Sequence, residues 1–306
     1  MSIDLRHFRC FVAVAEELHF HKAAKKLGVA QPALSRTIQN LERALGVTLL
    51  VRSNRSVEIT TAGQSFLKGC KEVLNRTTQI VEDTQRVHQG KIGTLRIGYT
   101  DNAINGNAPK ILKEFQVSQP DIELRLTHTV TSDQLVDLED GTIDFGFATG
   151  SVARAGFGYC CIQREQFVCV VYDGHRFSDR KSVRLEEFAN EAMIHGAPEQ
   201  WEHFHSYLMP LYRKAGFEPV VAQIGLATSD ILRLVACGMG ITILTDSVAD
   251  TLAPGLKVVS LDGVSDYLDT IVVWRTDQTN SAKEYFISFL QESLQDGLYP
   301  VETAQA

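Results

Sequence analysis

The stretch GVAQPALSRTIQNLERALG, Gly28 to Gly46, decides how the N-terminal part of the chain is read. Counted from Leu34, apolar side chains return at Ile38, Leu41 and Leu45, which lie on one face of a helix. The other face carries Pro32, Arg36, Gln39 and Arg43, with Gln31 at its start and Ser35 beside it. Carboxylates are nearly absent from that face. Side chains that donate hydrogen bonds, with no negative charge to repel phosphate, suit a helix lying in a DNA groove. An ordinary amphipathic surface helix would share the apolar face, so the flanking sequence has to decide.

Upstream, LRHFRCFVAVAEELHF reads as a first helix with Leu5, Phe8, Phe11, Val12 and Ala15 inward. HKAAKKLGV then gives a short helix with Ala23, Ala24 and Leu27 inward, stopped by Gly28, which can take the left-handed conformation. Pro32 suits the first turn of the next helix, where its missing N–H is not needed. Helix, tight turn and donor-rich helix together form a helix-turn-helix. Downstream, VTLLVRSNRSVEITTAG holds two short β-prone runs around Arg52-Ser53-Asn54-Arg55-Ser56. They predict a hairpin whose Arg52 and Arg55 reach a minor groove or a phosphate.

The segment His21 to Gly63 resembles the winged helix-turn-helix signature of the LysR-type transcriptional regulators, and the likeness continues as a pattern through nearly the whole chain. It departs at His21, where a Ser or Thr usually caps the second helix, and at Leu50, where Phe is common. Within the family, the N-terminal motif is most similar to the subgroup controlling aromatic-compound catabolism. The resemblance implies an N-terminal winged helix-turn-helix, mostly α, with a long linker helix, followed by a two-lobed α/β effector domain of the periplasmic-binding-protein type. The expected boundaries are residues 1–61, 62–90 and 91–300. The first lobe is placed at about 91–163 and 268–300, the second at about 164–267. Implied partners are a palindromic double-stranded operator, a small-molecule effector (an aromatic or organic acid), further copies of the chain as homodimer to homotetramer, and RNA polymerase. Beyond the effector no cofactor is expected.

Charge is distributed accordingly. The net charge over 306 residues is −7, yet residues 1–61 hold nine Lys/Arg against five Asp/Glu, leaving −11 on the remainder. A basic head on an acidic body suits a DNA reader joined to something that is not one. Arg6, Arg9 and Glu16 interrupt the early apolar positions and no apolar run reaches membrane-spanning length, so a cytoplasmic protein without membrane contact is expected.

Thr61-Ala62-Gly63-Gln64 has capping-box spacing and predicts a helix to about Gln89. Along it Phe66, Cys70, Val73, Thr77, Ile80, Thr84 and Val87 alternate at four and three, a heptad seam that would pair two copies. Leu67, Leu74 and Val81 widen the seam, and Gln89 to Gly93 reads as a hinge. From Thr94 the period changes to strand-like runs (LRIGYT, IELRLTH, IDFGFA, FVCVVY, VVAQI, GITIL, DTIVVW) separated by helical stretches, an α/β pattern.

Ligands in such folds bind at the carboxyl ends of strands, against helix N-termini. Three corners qualify: Thr100-Asp101-Asn102, Thr129 to Ser132 including Thr131, and Ala227-Thr228-Ser229. Ser, Thr and Asn also cap helices routinely, and their coincidence at three strand ends favours a ligand. Ile194-His195-Gly196-Ala197-Pro198 is expected to edge the cleft from the second lobe. Where the aromatic-catabolism subgroup commonly places an Arg, Gly146-Phe147-Ala148 leads to Thr149, and Asp101 adds negative charge; Arg154 or Arg164 would have to compensate for a dianion.

Six cysteines, Cys10, Cys70, Cys160, Cys161, Cys169 and Cys237, form no CxxC and read as reduced thiols. The resemblance leaves a thiol redox sensor as an alternative. A cysteine enzyme built on Cys160 or Cys161 with His195 is the remaining rival, and no catalytic motif supports it. His203 and His205 lack the spacing of a metal site, and none is expected.

Overall fold

The computed structural model describes residues 3–52, 57–88, 93–152, 154–277 and 280–295. The expected wing tip at Ser53 to Ser56, with Arg55, and the hinge residues Gln89 to Ile92 lie outside the described residues. So do the side chains of Arg52 and Val87. The chain forms two compact units, residues 1–91 with 139–142, and residues 92–138 with 143–306.

The first unit contains α1 (Leu5–Glu17), α2 (Phe20–Leu27), α3 (Gln31–Leu45), β1 (Leu50–Arg52), β2 (Val57–Ile59) and α4 (Thr61–His88). Phe11, Val14, Ala23, Leu34, Ile38, Leu41, Leu50 and Cys70 make its core, so the apolar stripe read from Leu34 is the buried one. Gly28 ends α2 at φ +65°, the left-handed conformation the turn into α3 requires. The cap of α2 differs from expectation. The helix starts one residue early, and His19, not His21, accepts through Nδ1 from the N–H groups of His21 and Lys22. The cap of α4 moves back too, here by one residue. The Thr60 hydroxyl accepts from the Gly63 N–H at 2.9 Å and donates to the Thr48 carbonyl at 2.9 Å, which ties the hairpin to the helix. Thr61 then falls inside the helix. The Glu42 carboxylate on α3 accepts from the N–H groups of Leu49 and Leu50, fixing where β1 starts.

The second unit is α/β and two-lobed. One lobe holds β3 (Gly93–Tyr99), α5 (Asp101–Asn105), α6 (Ala108–Ser118), β4 (Ile122–His128), α7 (Thr131–Glu139), β5 (Phe145–Thr149) and, later in the chain, α10 (Ser281–Gln295). The other holds β7 (Ser182–Arg184), β8 (Ala192–Gly196), α8 (Glu202–Lys214), β9 (Val220–Gly225), α9 (Thr228–Ala236), β10 (Thr242–Thr245) and β11 (Leu256–Asp262). Two strands run through both lobes, β6 (Phe157–Tyr172) and β12 (Tyr267–Arg275).

The sheet order is β4-β3-β5-β12-β6-β11-β7, with β10 also on β6 and a separate β8-β9 pair. β3 is parallel to β4 and β5, which sends their carboxyl ends to one edge. The sequence pattern began the sixth strand at Phe167, but the strand starts at Phe157. The polar run Gln163 to Gln166 reads as a break, yet it pairs in register with Thr270, Asp269, Leu268 and Tyr267 of β12. Cores lie on both sides of this crossing: Ile97, Phe115, Phe145, Phe147 and Phe286 in one lobe, Phe177, Phe188, Ile194, Leu208 and Ile243 in the other.

Candidate functional site

On α3, Gln31, Pro32, Arg36 and Gln39 are exposed and Ser35 is half-buried, while Leu34, Ile38 and Leu41 pack inward. Nothing acidic stands among the exposed residues of the first two turns. The helix therefore presents a row of donors held rigidly by its own buried stripe.

On α4 the expected seam divides. Phe66 packs against Phe8 and Phe11 at ring centroid distances of 5.7 and 5.3 Å, and Cys70 is buried in the same core. Val73 and Ile80 are exposed, at 43% and 54%. Thr77 and Thr84 donate their hydroxyls back to the carbonyls of Val73 and Ile80 at 2.8 and 2.7 Å, so neither hydroxyl needs a partner outside the helix. An apolar groove lies beside this face, lined by Phe8, Leu45, Val47, Leu49, Phe66 and Val73 among others.

In the second unit a cleft opens at the carboxyl ends of β3, β4 and β5. One lobe supplies Thr100, Asp101, Asn102, His128 to Ser132 and Thr149; the other supplies Glu199 to Phe204. The floor is a chain of threonines from three strand ends. Thr100 accepts from the Ala103 N–H at the start of α5 and lies 3.0 Å, oxygen to oxygen, from the Thr149 hydroxyl. The Thr149 N–H donates to the Thr131 hydroxyl at 3.0 Å. Behind them Gln134 holds the carbonyls of Thr129 and Phe147 through its amide nitrogen.

Asp101 and Asn102 reach across to the second lobe. The Asp101 carboxylate accepts from the Thr228 N–H and lies 3.4 Å from Nε2 of His128. Burial pushes its carboxyl up, with His128 and the Thr228 N–H pulling the other way. The Asn102 amide donates to Glu165 and to Thr270, both at 2.9 Å, and accepts from the Thr245 hydroxyl at 2.8 Å. Glu165 is buried on β6 and also accepts from the Ser247 N–H at 3.2 Å. Burial raises its carboxyl above the ordinary range, against the pull of the Ser247 and Thr245 hydroxyls. The sequence reading missed Glu165, Thr245, Ser247 and Thr270. A lone Glu inside a β-prone run was the one available signal.

Thr228 lines a small adjoining cavity with Asn102, Trp201 and Thr245. His195 and Gly196, expected at the cleft edge, stand behind it. The His195 ring stacks on Tyr212, with Nε2 3.1 Å from its hydroxyl, and burial together with His205 holds the imidazole down at about 4. Gly196 lets Trp201 close on the backbone, since a Cβ there would sit 2.0 Å from the indole. Trp201, fixed by its Nε1 donating to the Leu226 carbonyl at 3.0 Å, takes the place on the cleft wall. The same corner logic, one loop further on at the start of α8, finds this wall.

Neither compensating arginine lines the cleft. Arg164 makes a two-pronged pair with Asp269 at 2.8 and 3.0 Å, and Arg154 lies over the Phe157 ring. Cys160 and Cys161 point into cores on opposite faces of the sheet. Burial pushes the Cys70 and Cys160 thiols up to about 12, and raises Cys10, Cys161 and Cys169, so none of these is poised as a thiolate. Among the described residues no group of three metal-ligating side chains gathers, and no helix is long and apolar enough to cross a membrane.

Comparison with known proteins covers both units. A family model described as the LysR substrate binding domain matches residues 88–295, and one described as a bacterial regulatory helix-turn-helix protein of the lysR family matches residues 5–64. The HTH-type transcriptional regulator YnfL of Escherichia coli K12, itself uncharacterized, is 32% identical over 293 residues, covering 95% of this chain and 99% of its own. BenM of Acinetobacter baylyi, an HTH-type transcriptional regulator, is 32% identical over 265 residues, covering 85% of this chain and 86% of its own. Among solved structures, CbnR complexed with its target DNA aligns with a TM-score of 0.71 at 26% identity, covering 95% of this chain and 100% of that one.

Proposed function

Because the chain belongs to the LysR family of DNA-binding transcriptional regulators, we propose that α3 reads an operator through Gln31, Pro32, Ser35, Arg36 and Gln39. On the same reading, α4 pairs two copies, and the threonine-floored cleft receives the effector. The working division is residues 1–61 for DNA, 62–90 for pairing and 91–300 for sensing. The observation that carries the DNA assignment is the exposed donor row on α3, seated on Leu34, Ile38 and Leu41. CbnR, similar over nearly its whole length, has been solved on its target DNA, which supports the same task here.

Pairing through α4 uses Val73 and Ile80, with the methyl groups of Thr77 and Thr84 between them. Phe66 and Cys70 are occupied in their own core, so they contribute by fixing the angle of α4 against α1. Pairing sets two α3 helices on one face of a duplex, so a palindromic site follows from the symmetry. Reading DNA places the work in the cytoplasm.

The test is operator binding after genomic selection of bound fragments. Arg36→Ala should lose about 1–3 kcal/mol of specific affinity with the fold unchanged by circular dichroism. Wild-type affinity at matched salt would remove α3 from the groove.

A further inference from the structure

The charge lining the cleft goes further than its shape. Its walls carry three carboxylates, Asp101, Glu199 and Glu202, and two imidazoles, His128 and His203, with no lysine or arginine among the described residues. Arg164 is held by Asp269 and Arg154 lies over Phe157. Nor do the helix N-termini supply an anion site. α7 has Asp133 in its first turn, α8 has Glu202, and α9 has Asp230, with the Thr228 N–H already given to Asp101. A carboxylate entering here would give up its hydration and meet like charge.

The floor differs from the rim. Thr131 is 2% exposed and lines the cleft; its hydroxyl accepts from the Thr149 N–H and gives its own proton to no acceptor among the described residues. A buried donor left this way calls for an acceptor oxygen. Trp201 and Phe204 also line the cleft, and an aromatic ring favours a cation over an anion.

Building on the reading of this cleft as the effector site, we infer that it selects a net-positive small molecule. Its protonated amine sits among Asp101, Glu199 and Glu202, and a hydroxyl or carbonyl oxygen rests on Thr131.

Tyramine and 4-hydroxyphenylacetate serve as the probe pair, alike in ring, hydroxyl and length and opposite in charge at the far end. Binding to the full-length protein at neutral pH is read by tryptophan emission and by saturation-transfer NMR. Tyramine should bind at least about tenfold tighter. The double variant Glu199→Gln/Glu202→Gln, altered only at exposed side chains, should bring the ratio close to one. Equal or reversed preference, no tyramine binding at millimolar concentration, or a ratio unmoved by the double variant would each overturn the cation assignment. Thr131→Val separates that failure from the failure of the site. If the acid binds better and Thr131→Val abolishes it, the cleft still senses and only its charge preference falls. If Thr131→Val changes the binding of neither probe, the cleft is not the site and the cation assignment falls with it.

Discussion

His195 sits between Tyr212, whose hydroxyl is 3.1 Å from Nε2, and His205, with ring centroids 5.6 Å apart. Burial first, and the neighbouring His205 second, hold its imidazole at about 4, against 6.5 for the free side chain. The unfolded chain takes up a proton near 6.5 that the folded chain refuses until about 4. The stability this residue contributes is therefore complete above 6.5 and is lost as pH falls through that window, by roughly 3 kcal/mol. His205, lowered by burial, acts with the same sign. Urea unfolding followed by tryptophan emission should show the midpoint falling from pH 7 to 4, and His195→Gln should flatten much of that slope. An unchanged slope in the variant would place the effect elsewhere. At this scale the sequence told the threonines better than the histidine. Thr100 and Thr131 follow from where strands end, and Thr149 was singled out only as the position where the resemblance places an arginine, whereas His195 and Gly196 lie at a strand end whose exposed side is taken over by Trp201.

Elements were legible where one periodicity ran unbroken. The stripe from Leu34 to Leu41 fixed α3, and Thr228 fixed the start of α9. Caps shifted by one residue at α4 and by two at α2 because His and Thr can each serve from nearby positions; Thr60 won over Thr61 by also reaching the Thr48 carbonyl. The heptad of α4 hid two tasks in one pattern, since spacing alone does not say whether Phe66 faces its own α1 or another chain. Packing gives Phe66 and Cys70 to the first and leaves Val73 and Ile80 exposed, where the proposed pairing would use them. The expected outcome is asymmetric. Val73→Asp or Ile80→Asp puts a carboxylate against its own copy and should lower the assembled mass in sedimentation, by analogy with unpaired charge in a coiled-coil seam. Thr77→Val should not, since it keeps the methyl group and removes only a hydroxyl already spent within the helix. Wild-type mass in both Asp variants would take pairing away from this face.

Across the whole sensing unit, what joins the lobes is the crossing of β6 and β12, and a polar knot sits on it. Asn102 holds Glu165 of β6, Thr270 of β12 and Thr245 of the second lobe at once. The alternating α/β pattern foretold two lobes, but this knot was invisible because its members come from four separate stretches of chain. A buried carboxylate, with no cation paired to it among the described residues, is costly unless its lone pairs are satisfied, so Asn102 carries a disproportionate share of the crossing's order. Asn102→Ala strips one donor from Glu165 and leaves the hydroxyls of Thr270 and Thr245 short of a partner. The local cost is about 1–3 kcal/mol. Hydrogen exchange should report it where the strands cross, at Gln163 to Phe167 and Tyr267 to Thr270, with rates rising by roughly an order of magnitude or more. Amides in β3 and β11, deep in either lobe, should keep their protection. A uniform rise through both lobes would mean that Asn102 supports general stability. Unchanged exchange at the crossing would mean that backbone pairing between β6 and β12 holds the lobes unaided, and an effector that closes them would then have to bend the strands themselves.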